Sequence, residues 1–153
     1  MAEFDAEAYN AASNMFRLAQ TVRRSLPSLI AQIADSVDML GSKPPDGMPH
    51  GKTNENGIEN QMIAHVELMD RLTAKRDEYR RINADCEAVV EAMEDDCDDN
   101  GAFLRYCFMQ GKTQGDAAVL CGYVRDYGKE KSEIAIVHAS RYVRILGLVS
   151  RYS

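Results

Sequence analysis

The chain has 153 residues, 45% hydrophobic and 27% charged, with a net charge of −6, a balance that suits one domain or a helical rod with a small module. No apolar run approaches the roughly 18 residues of a membrane span. The acidic start MAEFDAEAYN lacks the basic and apolar regions of a signal peptide, so the expected compartment is the cytoplasm.

A first helix is predicted over residues 3–24, with Tyr9, Met15, Phe16, Ala19 and Val22 on one side. Pro27 interrupts that pattern. Ser25 supplies an N-cap and Pro27 fits a first turn, so a second helix is predicted over 26–40. It carries Leu29, Ile30, Ile33, Val37 and Leu40, and Gly41 stands at its stop. Residues 42–57, SKPPDGMPHGKTNENG, hold three Pro and three Gly without periodicity and read as a loop.

The longest organised stretch follows, a helix over about 57–95. Ile58, Met62, His65, Met69, Leu72, Arg76, Tyr79, Asn83, Cys86, Val90 and Met93 are spaced four, three, four, three without a slip. That is a heptad seam of about five repeats, on a rod of roughly 54 Å. His65, Arg76 and Asn83 occupy core positions, where polar residues fix register and partner number. The loop lets the first two helices run back along the rod. The seam is therefore predicted either as an antiparallel hairpin within one chain or as a contact shared in a homo-oligomer.

The rod ends in EAMEDDCDDNG. Asp96, Asp98, Asn100 and Gly101 match the first half of an EF-hand loop, but its twelfth position is Cys107, where a bidentate Glu is needed. The stretch reads instead as a helix–helix joint in which Asp99 or Asn100 caps the next helix. A short helix, 102–110, stops at Gly111. Thr113 caps another, with Ala117, Ala118 and Cys121 facing inward and Gly122 ending it. Ser132 caps a last helix, 133–146, stopped by Gly147. A small residue such as Ala118 inside a short capped helix suits the close crossing of a helix-turn-helix.

No metal, cofactor or catalytic frame emerges. Cys86, Cys97, Cys107 and Cys121 are too widely spaced for a C-x-x-C clip, and His50, His65 and His138 share no ligand spacing. The Gly-Lys-Thr at 111–113 lacks the upstream Gly of a phosphate loop. Charge is distributed unevenly. Residues 1–100 hold 20 acids against 10 bases, and residues 101–153 hold 8 bases against 4 acids. A basic end on an acidic stem is a common footprint of a nucleic-acid module.

The run LRYCFMQGKTQGDAAVLCGY resembles the signature of sigma-factor region 4 and of small phage-encoded relatives, through Leu104, Arg105, Tyr106, Gly111, Thr113, Asp116, Ala118, Gly122 and Tyr123. The loop PDGMPHG, residues 45–51, is similar to a loop in the same phage proteins, which include RinA/ArpU-type late-transcription regulators. The resemblance covers roughly residues 25–123. In this chain VRDYGKEK lengthens the connection to the last helix, which begins IAIVHA rather than with arginines.

The expected fold is all-α. A long antiparallel coiled-coil-like stem, residues 1–100, carries a helix-turn-helix-like module, residues 101–153. The resemblance implies a phage-type transcriptional regulator that binds DNA, host RNA polymerase, or both. Its expected DNA-binding residues are Thr113, Gln114, Lys129, Lys131, Ser132, His138, Arg141 and Arg144. The alternative is a phage protein that does not bind DNA and inhibits a host defence (an anti-CRISPR, for example) or a polymerase component. In both readings the chain is not an enzyme.

Overall fold

A computed structural model describes residues 4–41 and 55–153. The described chain is all-helical, as the periodicities predict: α1 (Ala6–Gly41), α2 (Glu55–Asp95), α3 (Asp99–Leu104), α4 (Gln114–Leu120), α5 (Gly128–Ile145) and α6 (Val149–Tyr152). A π-helical turn, Arg105–Met109, continues α3, and a 3₁₀ turn, Arg125–Tyr127, precedes α5. The expected loop 42–57 lies outside the described residues up to position 54. No described helix is long and apolar enough to cross a membrane.

The chain divides into two compact units, one of residues 1–24 and 80–153, the other of residues 25–79. In the smaller unit α1 contributes buried Leu29 and Ser36. From α2, the seam residues His65, Met69, Leu72, Arg76 and Tyr79 are half-buried. Met62, Ile63 and Val66 stay exposed.

The expected break at Pro27 does not occur, because α1 runs through it. Pro inside a helix removes one backbone hydrogen bond and costs about 3 kcal/mol. Pro27 itself is exposed, while Leu26 is half-buried and Leu29 buried, so the apolar stripe keeps its phase past the proline. Packing of that stripe offsets the lost bond. The start of α1 is set by Asp5, whose Oδ1 accepts from the Ala8 amide at 3.1 Å.

The larger unit holds the main core. Ala8, Ala11, Ala12, Met15, Phe16, Ala19 and Val22 of α1 are buried, as are Ile82, Cys86, Val89, Val90 and Met93 of α2. The alanines let backbones approach closely, and Phe16 meets Phe108 at 5.7 Å between ring centroids. The Cys86 thiol donates to the Met15 carbonyl at 3.6 Å. Here the heptad reading needs correction: Asn83 is exposed and Ile82 is buried in its place. A straight helix drifts about 20° per heptad against a 3.5-residue repeat, enough to move the buried line by one residue.

The joint after α2 is also built differently from the expectation. Cys97 takes a left-handed conformation, φ 58°. Its amide donates to the Glu94 carbonyl at 2.9 Å, and the Asp98 amide donates to Met93 at 2.9 Å. That is a Schellman stop with cysteine where glycine is usual. The cap of α3 is Asp98, not Asp99 or Asn100, since its carboxylate accepts from the Asn100 amide at 3.0 Å. Short α6, which no pattern announced, closes the core with Leu148, Val149 and Tyr152. The Tyr152 hydroxyl donates to Asp85 at 2.5 Å.

Candidate nucleic-acid interface

Thr113 caps α4 as predicted, its hydroxyl oxygen accepting from the Asp116 amide at 3.1 Å. Ala117 and Ala118 are fully buried. Gly122, at φ +88°, ends the helix, with the Tyr123 amide reaching back to Ala118 at 2.9 Å. The following helix, α5, starts at Gly128 and not at Glu133. Nothing in GKEKSE breaks a helix, Glu130 favours its positive end, and Gly128 fits where a side chain would not. A Cβ there would stand 2.5 Å from the backbone carbonyl of Gln114. The 3₁₀ turn therefore leads the chain back beside α4, and α4 and α5 begin next to one another.

This earlier start changes the fate of the residues expected at the DNA face. Lys131 and Ser132 fall inside α5 and are buried. The Lys131 ammonium donates to Asp99 Oδ1 at 3.0 Å and lies 4.5 Å from the centre of the Tyr123 ring. Burial works against its charge, but the bonds to Asp99 and Tyr123 outweigh that, and its pKa is raised. The Tyr123 hydroxyl also donates to Asp99 Oδ2 at 2.5 Å. That bond, opposed by burial and reinforced by Lys131, holds the Asp99 carboxyl below its ordinary value.

His138 is similarly engaged. Its Nδ1 lies 2.9 Å from Asp98 Oδ2 and 3.1 Å from Asn100 Nδ2. Asn100 Nδ2 also donates to Asp98 Oδ1 at 2.7 Å. The carboxylate only accepts, so Nδ1 carries the proton it donates to Asp98, and the Asn100 amide donates to Asp98 Oδ1 rather than to the ring. Tyr142 donates to Asp96 at 2.5 Å, and its own pKa is pushed up to about 12 by that bond. Asp96 and Asp98, the acids of the EF-hand half-match, are thus both engaged by side chains of α5. Among the described residues no group of three His, Cys, Asp or Glu stands ready for a metal.

Arg144 donates to both Asp5 oxygens at 3.0 Å and to Glu7 at 3.3 Å. Arg105 pairs with Glu87 and Glu94, Arg151 with Asp85, and Arg125 with Asp116. Much of the basic tail is therefore the counter-charge of the acidic helices. Of the eight predicted site residues, Thr113, Gln114, Lys129, Arg141 and Arg144 are exposed; of these five, Thr113 is engaged as a cap and Arg144 in ion pairs. Lys129 follows Gly128, the residue that packs against the Gln114 backbone. Arg141 lies apart, lining a cavity of about 470 Å³ with Phe4, Val137 and Ile145.

The sequence reading missed the cations that α1 brings to the start of α4. Arg17 and Gln20 of α1 and Lys112, Thr113 and Gln114 line one cleft of about 490 Å³, with Ser132 and Glu133 of α5. The guanidinium of Arg23 lies over Gly111, where an added Cβ would meet Arg23 Cζ at 2.3 Å. Arg17 and Gln20 share a cleft with Ser132 and Glu133 of α5, a juxtaposition that no sequence spacing announces.

The chain matches no family model, no curated protein and no solved structure.

Proposed function

We propose that this chain is a transcriptional regulator of the phage sigma-region-4-like kind, whose larger unit binds DNA through a helix-turn-helix-like pair, α4 and α5. The observation that carries the reading is the shared start of those helices. Gly128, the first residue of α5, packs against the Gln114 backbone; Lys129 follows it, Lys112 stands two residues before Gln114, and Lys112, Gln114 and Lys129 are all exposed. Among the described residues neither lysine takes part in an ion pair. The buried Ala117 and Ala118 support the close packing of α4 that such a pair needs. The contact set differs from the one the sequence suggested: Lys131, Ser132, His138 and Arg144 serve the fold, and Thr113 is a cap. Exposed Val119, Leu120 and Val124 beside this surface suit a protein contact such as host polymerase. The helices of the smaller unit form an antiparallel coiled-coil-like stem in this reading, and exposed Met62, Ile63 and Val66 offer a seam to a second copy or a partner.

A second reading, a phage interaction protein that inhibits a host component without binding DNA, is favoured by the same internal ion pairs, because they withdraw so much of the basic tail. A gel shift with phage genomic fragments at two salt concentrations separates the two. The DNA reading expects a shift that weakens with salt and is lost in the Gln114→Ala, Lys129→Ala variant. A protein that shifts no fragment at low salt belongs to the interaction class.

A further inference from the structure

Resting on the DNA reading, we infer that Arg17 and Arg23 of α1, together with Lys112, form a second nucleic-acid contact that follows the phosphate backbone. Nothing in the sequence motif assigns this role to α1. Three observations carry it. These cations meet on one side of the larger unit, Arg17 and Lys112 lining the same cleft and Arg23 covering Gly111 one residue before Lys112. Among the described residues none of the three is in an ion pair, whereas Arg105, Arg125, Lys131, Arg144 and Arg151 all are. The cleft also ends on Gln114, the residue against which α5 begins, so the contact is continuous with the proposed helix-turn-helix surface.

The spread of charge selects the ligand. Arg17 and Arg23 are six residues apart on one helix, about 9 Å along its axis. A single small anion does not bridge that span, but successive phosphates of a strand, about 3.4 Å apart along the duplex axis, do. One carboxylate, Glu133, lines the cleft and opposes phosphate there. It is a built-in control, since removing it strengthens backbone binding while removing the cations weakens it.

The test is the salt dependence of affinity for a random-sequence 20-base-pair duplex, read by fluorescence anisotropy. Each lost phosphate contact lowers the slope of log affinity against log salt by about 0.9. Arg17→Ala, Arg23→Ala, Lys112→Ala together should therefore lower it by about 2.7. The charge-conserving set Arg17→Lys, Arg23→Lys, Lys112→Arg should keep the wild-type slope, with circular dichroism matched for all variants. Glu133→Gln should bind more tightly without a lower slope. Wild-type binding with an unchanged slope in the triple alanine variant overturns the α1 contact and leaves the helix-turn-helix reading standing. A wild-type protein that binds no duplex at low salt overturns both.

Discussion

Replacing Lys131 by alanine separates a structural lysine from a DNA-contacting one. Its side chain is 5% exposed, while that of its partner Asp99 is 51% exposed. Truncation removes a charge-assisted hydrogen bond at 3.0 Å, a 3.4 Å contact to the Tyr123 hydroxyl and the packing of the aliphatic stem. Hydrogen bonds to charged groups contribute about 1.5–3 kcal/mol. Asp99 is exposed enough to recover hydration once abandoned, so the lower part of that range applies. Lost stem packing adds to it, and the expected cost is about 2 kcal/mol. For a chain of this size that lowers Tm by roughly 4–8 °C. Urea titration of Lys131→Ala, Asp99→Asn and the double variant should also show a coupling of about 1 kcal/mol between the two sites. A surface lysine reserved for phosphate would cost no more than about 0.5 kcal/mol. If Lys131→Ala is that mild and the coupling vanishes, the reasoning that withdraws Lys131 from the DNA face is wrong.

Three further outcomes are expected. Cys97→Gly should stabilise the fold by about 1 kcal/mol in urea titration, because a left-handed residue with a Cβ is strained and Cys97 is exposed, with no core contact to lose; a destabilised variant would show that the thiol matters. Ile82→Ala should cost about 2–4 kcal/mol while Asn83→Leu changes little, and the reverse order would restore Asn83 to the seam. Stability should also be lost in acid. Burial raises the Asp98 carboxyl but bonds from His138 and Asn100 outweigh it, and Asp99 is lowered too, both from 3.8. A depressed folded pKa gives stability that is present above the unfolded value and lost as pH falls through the folded one. The urea midpoint should accordingly hold above about pH 5 and fall below about pH 4, less steeply in Asp98→Asn, Asp99→Asn; an equally steep fall in that variant would assign the acid loss elsewhere.

The contrast between what the sequence announces and what it conceals follows from the range of the forces involved. Thr113, Gly122 and Gly147 act on their own backbone, so the cap of α4 and the stops of α4 and α5 are legible from local chemistry alone. Pro27 is a local signal too, but the stripe from Val22 through Leu29 overrides it, and only tertiary packing decides that contest. Asn83 and Ile82 are adjacent, and a slight drift of helical phase exchanges them. The start of α5 depends on Gly128 fitting against Gln114, a contact between separate helices. Lys131, His138 and Arg144 look like solvent-facing basic residues in one dimension. Their partners Asp99, Asp98 and Asp5 lie 32, 40 and 139 residues away, beyond the reach of any periodicity. For the same reason Arg17 and Arg23 read as the polar face of a stem helix, although the fold sets them beside Lys112.

The most direct test of DNA binding by the larger unit is an amide chemical-shift titration of the protein with a short duplex at low salt. Perturbations are expected at residues 17–23, 111–115 and 128–130, fading as salt is added, with Lys131 and Arg144 little affected. Perturbations absent throughout, or confined to Val119, Leu120 and Val124, would contradict DNA binding by the larger unit.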